Sequence, residues 1–482
     1  MRPTFNVLDR AWIPVRTMRG TVETLGIRQV LARAHELREI TVASPMEEYS
    51  VYRFLSVFLM DALRPETETD IEDLLGEGRF DMEAIEDYIG QCNAGGERFD
   101  LFDPERPFLQ SPYDASIDKE VKPVGVMDYT LPSGNNHTHF DHRNTKLLQL
   151  TPEQAARLLI AAQIFCTAGA QGYPSGVNAS PPFFSVIKEQ SLFKTLTYTL
   201  LPLDSIGLPL DEPPVLWRSR VGVRPKMEVS RTSWLRGMLF PARRILLDHR
   251  EDSEMIDGVY FCQGENFVSK ETWRDPFVTY RTTVNGVAPL RPAGYRPVWH
   301  NANDMIDVPG NHASLLLAQY VSISGSEHAS VMLYGVETSQ ASYLSVCRYD
   351  LSFPTKLAAD PGHVELLTMG ISASETLGGS LRRSLSDIPS VPGSVVGVTV
   401  QRYYKECEAG FWDLCEAAAK GDRKRREMYA SWCDEISGYA KNAFVTAVST
   451  LRLRASALAE AARAQDRLML TIGKLKKEAR QE

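Results

Sequence analysis

The sequence predicts an α+β protein: an irregular mixed α/β domain over residues 1–360, then a C-terminal bundle of the four-helix type over 361–482. Two observations carry this reading. After Pro361-Gly362 apolar residues recur with helical period almost to the C-terminus, and the connections are short and hold Gly, Pro or Ser. Before it, from Leu192 to Phe353, β-branched and aromatic residues alternate with frequent Pro and Gly, as in Val259-Tyr260-Phe261 and Phe277-Val278-Thr279-Tyr280. That is the pattern of short strands and loops.

The elements follow in order. Ser44-Pro45-Met46-Glu47 has the spacing of a capping box with proline at the first helical position, so a helix runs from there to about Leu63. From Asn93 to Thr145 lies a long stretch rich in Pro, Asn, Asp and Gly, read as a loop region of the functional or disordered kind. Thr151-Pro152-Glu153-Gln154 repeats the capping logic and starts a helix to about Cys166. In the bundle, His363–Leu385, Val400–Ala419, Asp422–Ile436 and Ala440–Arg480 are helical in period, and the last span is expected to break near Gln465.

Composition narrows the class. The chain has 482 residues, 43% hydrophobic and 24% charged, which is globular. No apolar run approaches the roughly 20 residues of a membrane span; the stretch from Tyr49 to Met60 is short and interrupted by Arg53. Seven cysteines without a C-x-x-C pair read as reduced thiols of a cytoplasmic protein and argue against structural zinc. The net charge of −8 taken alone argues against nucleic acid, yet the charge is segregated. Thirteen acidic residues face three basic ones over 61–100, whereas nine basic face two acidic over 217–250 and fourteen face eight from Lys420 onward, with a run at Arg423-Lys424-Arg425-Arg426. Each run reads either as a solvated face or as a path along phosphates.

One motif points to catalysis. His137-Thr138-His139-Phe140-Asp141-His142 is H-x-H-x-D-H, the spacing with which metallo-β-lactamase-fold hydrolases hold zinc and activate water. In that fold it follows an apolar strand; here Leu131-Pro132-Ser133-Gly134-Asn135-Asn136 precedes it, which is turn chemistry. A zinc-dependent metallohydrolase using 137–142 is therefore the alternative reading, beside a recognition loop and a locally hydrogen-bonded histidine cluster. The sequence holds no P-loop, no dinucleotide fingerprint, no nucleophile elbow and no H-E-x-x-H, which favours a binding or scaffold protein.

A set of short motifs in fixed order then resembles one family. Phe5-Asn6-Val7-Leu8-Asp9 and Trp12-Ile13-Pro14-Val15 open the chain; Arg106-Pro107-Phe108-Leu109-Gln110, Ser133 through His142, and Gly172-Tyr173-Pro174-Ser175-Gly176 follow. Leu235-Arg236-Gly237-Met238-Leu239-Phe240, Trp273-Arg274-Asp275-Pro276 and Ser339-Gln340-Ala341-Ser342, read as preceding a hairpin-like segment that ends near Lys356, complete the series before the closing bundle. Together they resemble the CasA family, the large subunit of the type I-E CRISPR Cascade surveillance complex, over essentially the full length.

The resemblance implies a protein that is not an enzyme and needs no cofactor and no metal. Such subunits sit at the 5′ handle of the CRISPR RNA among other Cascade subunits. They read the protospacer-adjacent motif of target double-stranded DNA from the minor groove, help open the duplex and support recruitment of a helicase-nuclease. Carried over by position, the handle-and-motif contact falls on Phe140, Asp141 and His142, and the small-residue loop near the groove on Gln171 and Gly172. Arg274 stands where the family's minor-groove lysine falls. The strand-separating wedge falls on Pro354 to Lys356, where Pro354 or the Lys356 stem would act by shape. Phosphate attraction is expected from Arg218 to Arg250 and from the bundle. No membrane contact is implied.

Overall fold

The computed structural model describes residues 3–481 apart from 97, 132–147, 170–171, 220, 250–252, 270–272, 295, 309–310, 340–341, 390, 422 and 452–454. The chain opens with an antiparallel sheet in which β1 (Ile13–Thr17) lies between β2 (Val22–Leu25) and β3 (Leu37–Ile40). The helix α1 (Pro45–Leu63) follows, with the Ser44 side chain accepting from the Glu47 N–H and proline at its first position. Nearly all of α1 from Met46 to Asp61 is buried. A helix apolar all round belongs inside a core, so each polar residue on it needs a partner there. Glu48 accepts from the Tyr334 hydroxyl and pairs with Arg348 at 2.8 Å. Ser56 meets Thr199, and Asp61 takes Arg64 and Arg218 at 2.7 Å each. Arg53 reaches Asp275, as described below. The polar positions of α1 are thus the ties that orient the rest of the domain.

Helices α2 (Glu68–Glu77) and α3 (Met82–Asn93) come next, and then the stretch read as a loop region. Its described part, up to Leu131, has little regular structure but fills core: Phe99, Leu101, Phe102 and Phe108 are buried. Side chains satisfy its backbone. Asp100 accepts from the N–H groups of Phe5 and Phe102, and Gln110 donates to the Leu101 and Phe108 carbonyls. The Arg106–Gln110 motif therefore has a structural role.

Helix α4 (Pro152–Ile164) has the full capping box of Thr151 and Gln154. The strand β4 (Phe184–Ile187) follows, then the antiparallel pair β5 (Arg243–His249) and β6 (Ile256–Gln263). On the far side of β5 the outward backbone groups are also taken. Gln163 at the end of α4 donates to the Arg243 carbonyl and accepts from its N–H, Ser111 N–H donates to the Ile245 carbonyl, and Leu247 N–H donates to the Gln110 side chain.

A small hairpin, β7 (Tyr280–Thr283) and β8 (Gly286–Pro289), leads to the helix α5 (Leu315–Ile323). This helix lies inside the region read as strands and loops. Ser314 caps it through the Leu317 N–H, and Leu315-Leu316-Leu317-Ala318-Gln319 are helix formers, so a local helix signal stands inside a region whose average composition reads as strand. The strands β9 (His328–Ser339) and β10 (Ser342–Pro354) then form a long hairpin with β4 on the outer side of β9. The Ser339–Ser342 motif, expected to precede a hairpin, stands at its turn. Alternate residues of β9 serve two cores, as the pleat requires. Met332, Tyr334 and Val336 join the core around α1, and Ala329, Val331 and Leu333 join a second core.

That second core continues into the bundle, α6 (Pro361–Ser386), α7 (Gly393–Lys420), α8 (Arg425–Thr450) and α9 (Ala455–Gln481), where α6 packs on all three others. Three boundaries differ from the sequence reading, the first being the start of α7, which lies at Gly393 and not at Val400. The helix α8 runs straight through Ser437-Gly438, because Ile436, Ala440 and Phe444 are buried and packing outweighs a glycine. The break then falls after Thr450, where Ser449 and Thr450 hydroxyls turn back to carbonyls one turn up and Leu451 is extended, not near Gln465.

His300 sits at this junction, 2% exposed, its ring on Trp299 and Tyr404, with Glu375 at 3.3 Å. Burial pushes its pKa below the ordinary value, more strongly than Glu375 pulls it back. A folded state that prefers the neutral ring has this stabilisation in full above the unfolded pKa of about 6.5 and loses it as pH falls below. Between pH 7.5 and 5.5 the thermal midpoint of the native chain should therefore fall more than that of His300→Gln. Equal slopes would exclude the histidine as the cause.

Candidate nucleic-acid interface

The site is built on two motifs that lock together. The short helix Trp234–Met238 presents Gly237 to the Trp273 ring so closely that a Cβ there would lie 2.2 Å from Cε2. Beside this contact, Arg53 donates to the Met238 carbonyl at 2.6 Å and to the Tyr49 hydroxyl at 2.8 Å, and pairs with Asp275 at 2.8 Å. Both charges are almost fully buried, at 2% and 0% side-chain exposure. Burial acts against the Arg53 charge, but the Asp275 carboxylate outweighs it and the pKa rises. Asp275 also accepts from the Phe277 N–H, and its own N–H donates to the Tyr280 hydroxyl.

Between the buried Trp273 and the buried Asp275, the one residue left to point outward is Arg274, which is exposed with its guanidinium 5.7 Å from the centre of the Tyr280 ring. Burial, and after it Asp275, keeps the Tyr280 phenol protonated well past its ordinary pKa. Among the described residues no carboxylate pairs with it, so Arg274 is an exposed cation over the Tyr280 ring, flanked by two buried residues.

The second loop approaches the same interior. The Gly169 N–H donates to Tyr173 O and the Gly172 N–H to Gly169 O, a tight turn with both glycines at positive φ, +81° and +75°. Such a backbone suits glycine and allows close approach of a partner; a Cβ added at Gly172 would meet nothing within 4 Å. Tyr173 is flanked by two cations. Lys122 Nζ lies 3.0 Å from its hydroxyl, and the Arg243 guanidinium lies 5.4 Å from its ring. Gly176 and Asn178 of this loop line one small cavity with Arg53 and Asp275. That cavity is interior: it is lined by the stretch that follows the Gly172 turn and by the neighbour of Arg274, not by Gly172 or Arg274 themselves.

The other expected positions divide. Pro354 ends β10 and Lys356 follows in a 3-10 turn (Thr355–Ala359) against α6 and α7, its side chain 66% exposed with Glu327 at 4.0 Å. Phe140, Asp141, His142 and Gln171, with His137 and His139, lie outside the described residues. Among the described residues no group of three or more His, Cys, Asp and Glu is placed to hold a metal, and no helix is long and apolar enough to cross a membrane.

The basic run 217–250 is narrower than its count. Arg236 pairs with Glu265, Arg244 with Asp118, Arg218 with Asp61 and Asp211, and Arg243 is buried. Arg224, Lys226 and Arg231 are exposed, as are Arg423 to Arg426. Sequence reasoning missed Lys122, Tyr173 and Arg53 as parts of the site. For Arg53 a signal existed: one arginine inside an apolar helix needs a buried carboxylate.

Comparison with known proteins gives matches over most of the chain. The family profile of CRISPR-associated protein Cse1 matches residues 6–443. The CRISPR-associated protein CasA/Cse1 of Thermus thermophilus is 30% identical over 408 residues, 80% of this chain and 78% of that protein. The structure of Thermus thermophilus CasA superposes with a TM-score of 0.77 at 23% identity, covering 98% of this chain and 99% of that one. Thermobifida fusca Cse1 gives 0.80 at 19% identity, covering 98% of each chain. A chain of a CRISPR RNA-guided surveillance complex gives 0.78 at 20% identity, covering 97% of this chain and all of that one.

Proposed function

Since the chain belongs to the CRISPR-associated Cse1 family, we propose that it is the large, non-catalytic subunit of a guide-RNA-loaded Cascade complex in the cytoplasm. In this reading it binds its sister subunits and the 5′ handle of the CRISPR RNA, and reads the protospacer-adjacent motif of target double-stranded DNA. It then helps to open the duplex and supports recruitment of a helicase-nuclease, with 1–360 carrying the reading loops and 361–482 as the bundle domain. The observation that carries the reading is Arg274, exposed between buried Trp273 and buried Asp275 on a frame fixed by the Arg53–Asp275 pair; the glycine backbone at Gly172, which admits a close partner, supports it.

The division of labour is physical. A cation entering the minor groove reads its width and its acceptor atoms, a degenerate code, so several related motifs should be accepted. Pairing with the guide reads the rest. Phe140, Asp141, His142, Gln171, Pro354 and Lys356 keep their assigned places in this scheme as contacts to RNA and DNA, Pro354 and Lys356 as the wedge.

The test is duplex binding by the complex reconstituted with and without the subunit, at one fixed salt concentration. Discrimination between flanking motifs should require the subunit. Arg274→Ala should reduce that discrimination by about 5- to 100-fold, the range of one base-edge contact, at unchanged thermal stability. Discrimination that persists without the subunit, or in Arg274→Ala, would refute the assignment.

A further inference from the structure

We propose that a groove away from the Arg274 and Gly172 loops, between the 101–113 segment and strands β5 and β6, docks a partner protein through an arginine or lysine projecting from an apolar segment. The groove is lined by Phe102, Tyr113, Leu247 and Tyr260, with the carboxylates of Asp103 and Asp248 in the same wall. Of its aromatic rings Tyr113 is exposed, Tyr260 is half-buried and Phe102 is buried. Tyr113 and Tyr260 meet edge to face at 5.5 Å, Phe102 lies against the His249 ring at 4.6 Å, and Tyr113 is 58% exposed. Exposed aromatic rings beside carboxylates bind a cationic side chain twice over, through the ring faces and through the charge.

Among the described residues neither carboxylate has a lysine or arginine ion-pair partner. Among the described lining residues there is no lysine or arginine, and His249 is the one basic ring. Asp103 spends one oxygen on the N–H groups of Glu105 and Arg106. Burial, and after it the neighbouring Asp257, holds the Asp248 carboxyl above the usual range. A charge so placed gains from an incoming cation. The same two carboxylates repel phosphate, so the occupant is protein and not nucleic acid.

Edge pairing is not the mode. Four outward groups of β5, the Arg243 N–H and C=O, the Ile245 C=O and the Leu247 N–H, already have partners, which interrupts the edge and leaves side chains to do the binding. The groove shares no lining residue with the cavity behind Arg274, so the two sites fail or hold independently.

The experiment uses the purified full chain and the peptide acetyl-Leu-Pro-Arg-Pro-Leu-amide, by calorimetry at low fixed salt, with citrulline in place of arginine as the neutral control. The arginine peptide should bind, and citrulline should weaken it by about tenfold, the effect of losing a cation from an aromatic and carboxylate site. Asp248→Asn should weaken the arginine peptide by a similar factor, and so should Tyr113→Ala, a surface change that leaves the fold intact. A twelve-residue oligothymidylate should not displace the peptide. The proposal is overturned if the arginine peptide shows no binding at millimolar concentration, if citrulline or either variant binds equally well, or if the oligonucleotide displaces it. Motif discrimination by the complex should be unchanged in Tyr113→Ala, and its loss there would overturn the independence of the two sites.

Discussion

Asp275→Asn should lower the stability of the chain by about 3–5 kcal/mol, the cost of leaving a buried charge without its partner. The substitution keeps the shape and the hydrogen bond from the Phe277 N–H but removes the charge opposite Arg53, whose side chain is 2% exposed. Arg53 cannot shed its proton to relieve the imbalance. It also cannot swing to water, because Met238 O and the Tyr49 hydroxyl hold it in place. The double variant Arg53→Met, Asp275→Asn should be more stable than Asp275→Asn alone, since the unpaired charge is gone. Thermal denaturation of the three proteins checks the series; a single variant within about 1 kcal/mol of the native chain would show that the pair is not what fixes the loop. At temperatures where Asp275→Asn is folded, motif discrimination should already be impaired, since Arg274 is the next residue along the chain.

Gly237→Ala is the second large effect. The added methyl would stand 2.2 Å from Trp273 Cε2 and 2.3 Å from Nε1, and Trp273 is a buried ring at 3% exposure. Overpacking of this kind costs about 1–3 kcal/mol, and the upper part of that range applies to a rigid ring. The ring that must shift is adjacent to Arg274, so motif discrimination should fall with stability. Trp273→Phe in the Gly237→Ala background should restore part of the stability by removing the clashing half of the indole. If Gly237→Ala were neutral in both assays, the two motifs would not be coupled as described.

The parts of this fold that are legible in the sequence are those decided by local chemistry. The starts of α1 and α4 follow from Ser44-Pro45 and Thr151-Pro152, because a cap is written within four residues. The bundle is legible because its period persists over long helices. The end of α8 is not, because Ser437-Gly438 is a poor local helix signal that distant packing overrules. The helix α5 is different: its Ser314 cap and leucine run are a local signal that the strand-like average of the surrounding region hides, and Ser339, expected to precede a hairpin, is already paired with Ser342 within it.

The site shows the same division. Arg274 is identifiable from its motif, but what holds it comes from Tyr49, Arg53, Gly237 and Tyr280, residues separated by up to 231 positions from one another. Lys122 next to Tyr173 has no local signature at all, since it stands in an aperiodic stretch. The basic count over 217–250 misleads because sequence cannot show that Arg236 and Arg244 are internal pairs.

The pattern of partners along β5 has a consequence for the protein's behaviour in concentrated solution. Bare rungs at the side of a sheet are a template on which another chain can polymerise. Here the template is blanked by two glutamine amides and one serine backbone group, arriving from a helix and a loop that precede the strand in sequence. Gln110 and Gln163 thus act as gatekeepers against self-association, a role quite separate from any contact with nucleic acid.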